Sequence, residues 1–167
     1  MAHERKRHVR DLLLQRLKFS PIVGVFGHRQ VGKSTLIAKI ANEYRTLDDV
    51  ATLEFAHEQP KKFIQSMKQH PAAIDECQME PRLFPTLKER VRISKRPGQF
   101  ILSGSVRFTS RKAIRESLAG RMASIECLPF SVSELVQEEL NLVLPGLIHE
   151  KRFSEASYLK LRTASDS

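Results

Sequence analysis

Nine consecutive residues near the start of the chain have the types and the spacing of a phosphate-binding loop. Four residues separate a first glycine from a Gly-Lys-Ser triplet, which is the spacing of this motif. The glycines allow a tight turn close to an anion, and the loop amides with the following helix N-terminus point at phosphate oxygens. Lys33 is expected to reach the β- and γ-phosphates, and the Ser34 hydroxyl is expected to hold Mg²⁺. We predict that all nine bind the nucleotide: Gly27, His28, Arg29, Gln30, Val31, Gly32, Lys33, Ser34 and Thr35.

The segments on either side of the loop are those that the motif requires. An apolar run over residues 22–26 predicts a buried strand that leads into the loop. An amphipathic run leads out of it and predicts a helix. Strand, glycine loop and helix together form the supersecondary unit of phosphate loops. The apolar face of the predicted helix comprises Leu36, Ile37, Ile40, Ala41 and Tyr44.

An acidic pair ends a second predicted strand, over residues 71–75. In open α/β sheets, ligands bind at the carboxyl ends of the strands, where Asp75 and Glu76 would lie. Asp75 is expected to bind Mg²⁺, directly or through water, and Glu76 to orient or deprotonate the attacking water. A helix N-cap or a solvated loop is the alternative explanation of such a pair.

Two further polar positions are candidates for the site. A predicted strand over residues 100–102 ends in a Ser-Gly-Ser turn, where Ser103 or Ser105 could hydrogen-bond the water or the γ-phosphate. The Ser-Gly-Ser sequence is also common in turns that have no functional role, because serine and glycine favour turn conformations. Arg121 follows a predicted helix and is a candidate arginine finger. An arginine there also suits the helix dipole, or could pair with Glu126.

The rest of the chain alternates predicted helices with predicted strands. This order predicts an α/β fold with a mostly parallel sheet flanked by helices on both faces. We predict an N-terminal amphipathic helix within residues 1–20 packed on the core, a P-loop domain over 21–144 and a tail over 145–167. A helix capped by Ser110 and a capping box at Ser131 and Glu134 are also predicted. The inward face of the first helix comprises Val9, Leu12, Leu13 and Leu17.

Composition limits the class of protein. A length of 167 residues suits one domain, and no apolar run approaches the roughly 18 residues of a membrane span. No signal-type segment follows the basic N-terminus, and Cys77 and Cys127 form no metal-ligand pair, which together favour a cytoplasmic protein. The net charge of +9 could attract nucleic acid, but two tyrosines and no tryptophan leave little for stacking on bases.

Six sequence blocks occur in this order in a large prokaryotic group. The chain resembles the predicted ATPases of the AAA+ superfamily over about residues 10–135, and in that family a separate C-terminal domain usually follows the P-loop domain. The chain ends about where that second domain is expected, so the resemblance implies the ATPase domain only. The blocks are 27–34, 46–49, 74–78, 99–105, 116–121 and 128–135.

The resemblance implies ATP as the nucleotide, Mg²⁺-dependent hydrolysis and assembly into a homo-oligomer. It implies an additional strand between the phosphate-loop strand and the Asp75 strand. It makes Asp75 and Glu76 the Walker B pair and places Ser103 in the sensor-1 turn. It makes Arg121 a phosphate-sensing or finger arginine. His28 stands where the family often has proline, which leaves the backbone chemistry of the loop intact.

Three other functions are compatible with a phosphate loop. A P-loop small-molecule kinase has about this length, although the acidic pair fits water activation better. A GTP switch has no visible basis, because no Asn-Lys-x-Asp or Thr-Lys-x-Asp stretch is present to recognise guanine. A nucleotide-gated module that binds DNA or protein with little hydrolysis is the third, and the basic charge favours it.

Overall fold

A five-stranded parallel sheet forms the centre of the protein. The structure is a computed structural model that describes residues 6–105, 118–131 and 134. The sheet has the order β2-β3-β4-β1-β5, and all of its neighbouring strands are parallel. An α/β fold of the P-loop type is therefore confirmed. The strands are β1 (Ile22–Phe26), β2 (Glu43–Thr46), β3 (Ala72–Asp75), β4 (Phe100–Gly104) and β5 (Met122–Glu126).

Helices connect the strands, and their ends follow local sequence signals. Asp49 caps one helix by accepting a hydrogen bond from the Thr52 amide at 2.8 Å. Pro60 occupies the first turn of the next helix, where its missing N–H costs nothing. The helices within the described residues are α1 (His8–Leu17), α2 (Lys33–Ile40), α3 (Val50–Glu58), α4 (Pro60–Ser66) and α5 (Leu83–Ile93), with a short 3-10 helix at Cys77–Met79.

The core lies on both faces of the sheet, because successive strand residues point to opposite sides. In β1, Ile22 and Phe26 join the core under α3, α4 and α5, whereas Val23 and Val25 join the core under α1 and α2. The buried residues of β3 and β4 are divided between the same two cores. Helices therefore cover both faces, as the sequence predicted.

Strand β4 lies between β1 and β3, which confirms the additional strand that the family resemblance implied. The register aligns Gly24 with Leu102, and Leu102 with Ile74. The carboxyl ends of these three strands therefore meet at one edge of the sheet. That edge brings the phosphate loop after β1 close to the acidic pair after β3.

Several local predictions were wrong. Leu12 is 39% exposed and does not face inward, while Leu13 is fully buried. Helix α2 ends at Ile40, so Tyr44 belongs to β2 and not to the apolar face of the helix. Ser103 is the fourth residue of β4, and the strand continues through Gly104, where a turn was predicted.

Residues 7–130 form one compact unit, and residues 1–6 with 131–167 form another. In the second unit, the Ser131 amide donates to Glu134 Oε2 at 2.9 Å and the Glu134 amide donates to Ser131 Oγ at 3.3 Å. This reciprocal pair is the predicted capping box. The predicted cap at Ser110 and the tail over 145–167 lie outside the described residues. None of the described helices is long and apolar enough to span a membrane.

Candidate functional site

The loop between β1 and α2 makes a tight turn just before the helix begins. Gly32 adopts a left-handed conformation with φ of 86°, which favours glycine, and α2 begins at the next residue. Lys33 is 5% exposed, and its Nζ donates a hydrogen bond to the His28 carbonyl at 2.7 Å. The ammonium group is thus folded back over the loop, where phosphate oxygens would replace the carbonyl.

The loop is also fixed from outside. A Cβ atom on Gly27 would collide with the Cys127 carbonyl, so glycine is required there by the chain after β5. Arg7 donates to the Val31 carbonyl at 2.7 Å and to the Leu128 carbonyl at 2.6 Å. The start of α1 and the end of β5 therefore hold the loop in place. The sequence had explained Gly27 by the tight turn of the loop and its close approach to an anion, and not by this contact with the chain after β5.

A polar cavity of about 750 Å³ opens beside the loop. Its volume lies in the range of small-molecule and cofactor sites, about 300–1,000 Å³. Asp49 caps α3, while the preceding residue, Asp48, lines the cavity. The lining residues are Arg29, Gln30, Gly32, Lys33, Ser34, Thr35, Asp48, Glu76, Gln78 and Met79.

Asp75 ends β3 beside this cavity but does not line it. The carboxylate is 2% exposed and accepts one hydrogen bond on each oxygen. The Glu76 amide donates to Oδ1 at 3.0 Å, and the Tyr44 hydroxyl donates to Oδ2 at 2.7 Å. A buried carboxylate needs such partners because burial without them costs several kcal/mol.

Tyr44 contacts the candidate site, and the sequence had not singled it out as a site residue. Partial burial, then the hydrogen bond to Asp75 and the charge of that carboxylate, raise the pKa of the Tyr44 hydroxyl above its ordinary value. Hydrogen bonds with Thr46 and Ser34 lower the pKa and offset only part of the rise. The hydroxyl therefore contacts Asp75, one of the two residues that were predicted to hold Mg²⁺. Alternation along a strand over 44–47 could have placed Tyr44 and Thr46 on one face, but not beside Asp75.

Glu76 occupies a strained position at the edge of the cavity. Its φ of 51° lies in the left-handed region, which is uncommon for a residue other than glycine and is frequent at functional sites. Gln78 Nε2 donates a short hydrogen bond to Glu76 Oε2. The opposite amide atom, Gln78 Oε1, is buried against Gly104 and has no hydrogen-bond partner among the described residues. Gln78 was not predicted to have a role.

Ser103 is completely buried and does not line the cavity. It lies opposite Val25 of β1, and its Oγ has no hydrogen-bond partner within the described part of the chain. Strand alternation places Ser103 on the same face as Ile101, which is the face covered by α1 and α2. Ser105 follows the strand and is half-buried.

Arg121 is not brought to the phosphate loop of its own chain. It precedes β5, whose first residue pairs with Ile22 at the amino end of β1. The loop follows the other end of β1, about 15 Å away at the ~3.3 Å rise of a parallel strand. Arg121 Nη1 donates to the Ala119 carbonyl at 3.2 Å, as in the helix-end alternative. Glu126 lies at the far end of β5, so the alternative pairing with Arg121 is wrong.

The donor set of Ser34 and Asp75 suits Mg²⁺. This ion keeps several waters and is usually bound by one or two carboxylates together with substrate phosphates. Within the described residues there is no group of three or more His, Cys, Asp or Glu side chains arranged to hold a metal ion. One hydroxyl and one carboxylate fit a cation whose other ligands are phosphate and water.

Comparison with protein families gives a match over most of the chain. A family model described as an AAA domain matches residues 19–136, which include every element from β1 to β5. No curated protein matches the chain.

Proposed function

The chain belongs to the AAA domain family, and from that premise we propose that it binds ATP with Mg²⁺ and hydrolyses the γ-phosphate. One observation carries the proposal. Lys33 and Ser34 of the loop line the same cavity as Glu76, which follows the β3 carboxylate. Phosphate-binding groups, metal ligands and a water-activating carboxylate are the parts that an NTPase needs.

The binding half of the site is built from the loop. The Lys33 ammonium would exchange the His28 carbonyl for the β- and γ-phosphates, while the loop amides from Gly27 to Thr35 surround them. Ser34 and Asp75 would hold Mg²⁺, which when bound neutralises phosphate charge. Because Lys33 is already buried and oriented, little side-chain entropy would be lost on binding.

The hydrolytic half of the site depends on Glu76. Its carboxylate faces the cavity and is oriented by Gln78, so it is placed to accept a proton from a water that attacks the γ-phosphate. The backbone strain at Glu76 supports a functional role, because the fold maintains it at an energetic cost. Ser103 is buried outside the cavity, so a contact of its hydroxyl with the water or the γ-phosphate would require the end of β4 to move.

Arg121 would act on the nucleotide of another subunit. Arg121 lies where the parallel strands begin, far from the phosphate loop of its own chain. An arginine finger that acts in trans needs only to lie on a surface that faces the nucleotide of the neighbouring subunit. This role requires a homo-oligomer.

The experiment compares phosphate release from Mg²⁺-ATP by the wild type and by Glu76→Gln. The amide preserves shape but cannot accept the proton, so release should fall about 10²–10⁴-fold while nucleotide affinity is retained. Glu54→Gln, an exposed glutamate of α3, is the matched control and should hydrolyse at the wild-type rate. Equal rates in Glu76→Gln and the control would refute the assignment of the base.

A second candidate function is nucleotide-gated binding of nucleic acid. The positive charge at the end of the sheet where the strands begin favours it. Lys18, Lys95 and Arg96 are exposed in two turns that a hydrogen bond between Gly98 and Ser20 joins at 2.9 Å. Beside them Phe19 is 62% exposed and could stack on a base. Basic residues at helix C-termini also complement the helix dipole, which needs no partner.

Binding of a fluorescent single-stranded oligonucleotide at several salt concentrations tests this second function. Lys95→Glu with Arg96→Glu should weaken binding and reduce its salt dependence. Lys61→Glu with Lys62→Glu makes the same charge change on α4 and should have a smaller effect. If both pairs weaken binding equally, only the net charge of the protein is responsible.

A further inference from the structure

One hydroxyl group contacts the carboxylate that the proposed function assigns to Mg²⁺. Tyr44 donates a hydrogen bond to Asp75 Oδ2 at 2.7 Å. Tyr44 comes from β2, an edge strand of the sheet, while Ser34 comes from α2 and Asp75 from β3. Tyr44 and Asp75 lie on the face of the sheet that α2 covers, since Tyr44 pairs with Ala73, two residues before Asp75.

We propose that Tyr44 occupies the cation position in the nucleotide-free protein and must leave Asp75 when Mg²⁺ enters with the nucleotide. The inference rests on the proposed function, because it concerns the same metal site. Tyr44 then acts as a gate that sets how much Mg²⁺ is needed for the nucleotide to bind.

The need for such a group follows from the burial of Asp75. Asp75 is 2% exposed, and among the described residues its carboxylate accepts hydrogen bonds from the Tyr44 hydroxyl and the Glu76 amide alone. A carboxylate in this environment requires further donors or a cation to offset its lost hydration. The tyrosine hydroxyl supplies a donor while the cation is absent.

The tyrosine also has room to leave. Its side chain is 38% exposed, and within the described part of the chain β2 has a neighbouring strand on one side only. Rotation about the side-chain torsions moves the ring toward solvent without breaking the β2–β3 ladder. A divalent cation attracts the carboxylate far more strongly than a neutral hydroxyl does, so the exchange favours the cation once phosphate completes its ligands.

Tyrosine fluorescence reports this exchange directly. The chain contains two tyrosines and no tryptophan, so Tyr158→Phe leaves Tyr44 as the single emitter. A phenol that donates to a carboxylate is quenched, and we expect its emission to rise when β,γ-imido-ATP is added with Mg²⁺. The same analogue with EDTA is the matched control and should leave the emission low.

A second measurement uses Tyr44→Phe, which keeps the ring and removes the hydroxyl. The Mg²⁺ concentration that half-saturates analogue binding should fall about tenfold, because binding no longer breaks a hydrogen bond to a charged group. Tyr158→Phe is the control and should keep the wild-type Mg²⁺ requirement.

The outcomes distinguish a failure of the Tyr44 gate from a failure of the proposed function. If the analogue binds with Mg²⁺ dependence but Tyr44 emission does not change, the gate is refuted and the proposed function stands. If Tyr44→Phe needs more Mg²⁺, the hydroxyl positions Asp75 and does not compete with the cation, which also refutes the gate. If the wild type binds no analogue at all, the proposed function fails and the gate fails with it.

Discussion

Removal of the loop lysine gives a quantitative test of the nucleotide site. Lys33 is buried, and its only hydrogen bond among the described residues is to the His28 carbonyl, within the loop itself. In Lys33→Ala, that carbonyl loses its partner and the cavity loses a positive charge. We expect Mg²⁺-ATP to raise the melting temperature of the wild type much more than that of the variant, because the ligand binds only the folded loop.

The size of the effect follows from linkage. At a hundred times Kd, a ligand that binds the folded state alone adds about 2.7 kcal/mol of stability. For a domain of this size, that corresponds to a rise of about 5–10 °C. A hydrogen bond to a charged group is worth about 1.5–3 kcal/mol, so the loss of Lys33 should weaken binding about 10–150-fold. At the same ATP concentration, the variant then retains a shift of only about 1–5 °C.

Thermal unfolding with and without Mg²⁺-ATP measures this difference. Each variant is compared with its own nucleotide-free sample, so a change in intrinsic stability cancels. Lys39→Ala removes an exposed lysine from the same helix and should keep the full shift. A shift in Lys33→Ala as large as in Lys39→Ala would show that phosphate is not bound by this loop.

Two further predictions concern stability and assembly. Hydrogen bonds from Arg82 and His57 outweigh burial and lower the pKa of Glu80, so its ionised form stabilises the fold above the ordinary glutamate pKa. This stability should be lost as the pH falls through the lowered folded pKa, and acid unfolding of Glu80→Gln, which lacks the charge, should depend less steeply on pH in that range. For Arg121, a mixture of Arg121→Ala and Lys33→Ala proteins should release phosphate faster than either alone, and the absence of rescue would refute the role in trans.

Short-range patterns in the sequence predicted most of the elements. In α5 the four apolar positions at helical spacing, Leu83, Phe84, Leu87 and Val91, are all buried, because a helix fixes its own faces through local geometry. The phosphate loop was predicted for the same reason, since strand, loop and helix are consecutive. Leu12 and Leu13 were both predicted to face inward because both fit the helical spacing of the apolar face. Only contact with the sheet decides which of the two is buried.

Relations between distant segments were not available from spacing. The position of β4 between β1 and β3 came from the family resemblance, because strand order depends on pairing between residues far apart in the chain. The hydrogen bond from Tyr44 to Asp75 joins residues 31 positions apart and depends on that same pairing. The four residues of β2, Glu43–Thr46, contain no information about which strand lies beside it.

Strand β4 ends at Gly104, a position where the neighbouring Gln78 side chain leaves little room for any residue other than glycine. A Cβ atom at this position would collide with Gln78 Oε1, the far end of the side chain that holds Glu76. Because that end is flexible, Gly104→Ala should fold and bind Mg²⁺-ATP normally while it moves Gln78 away from Glu76. Phosphate release should therefore fall, although the substitution adds one methyl group at the end of a buried strand. Gln78→Ala should lower the rate by the same mechanism, and the double variant should be no slower than the slower single variant, because both changes remove one contact. Additive losses in the double variant would show that Gly104 affects the site by another route.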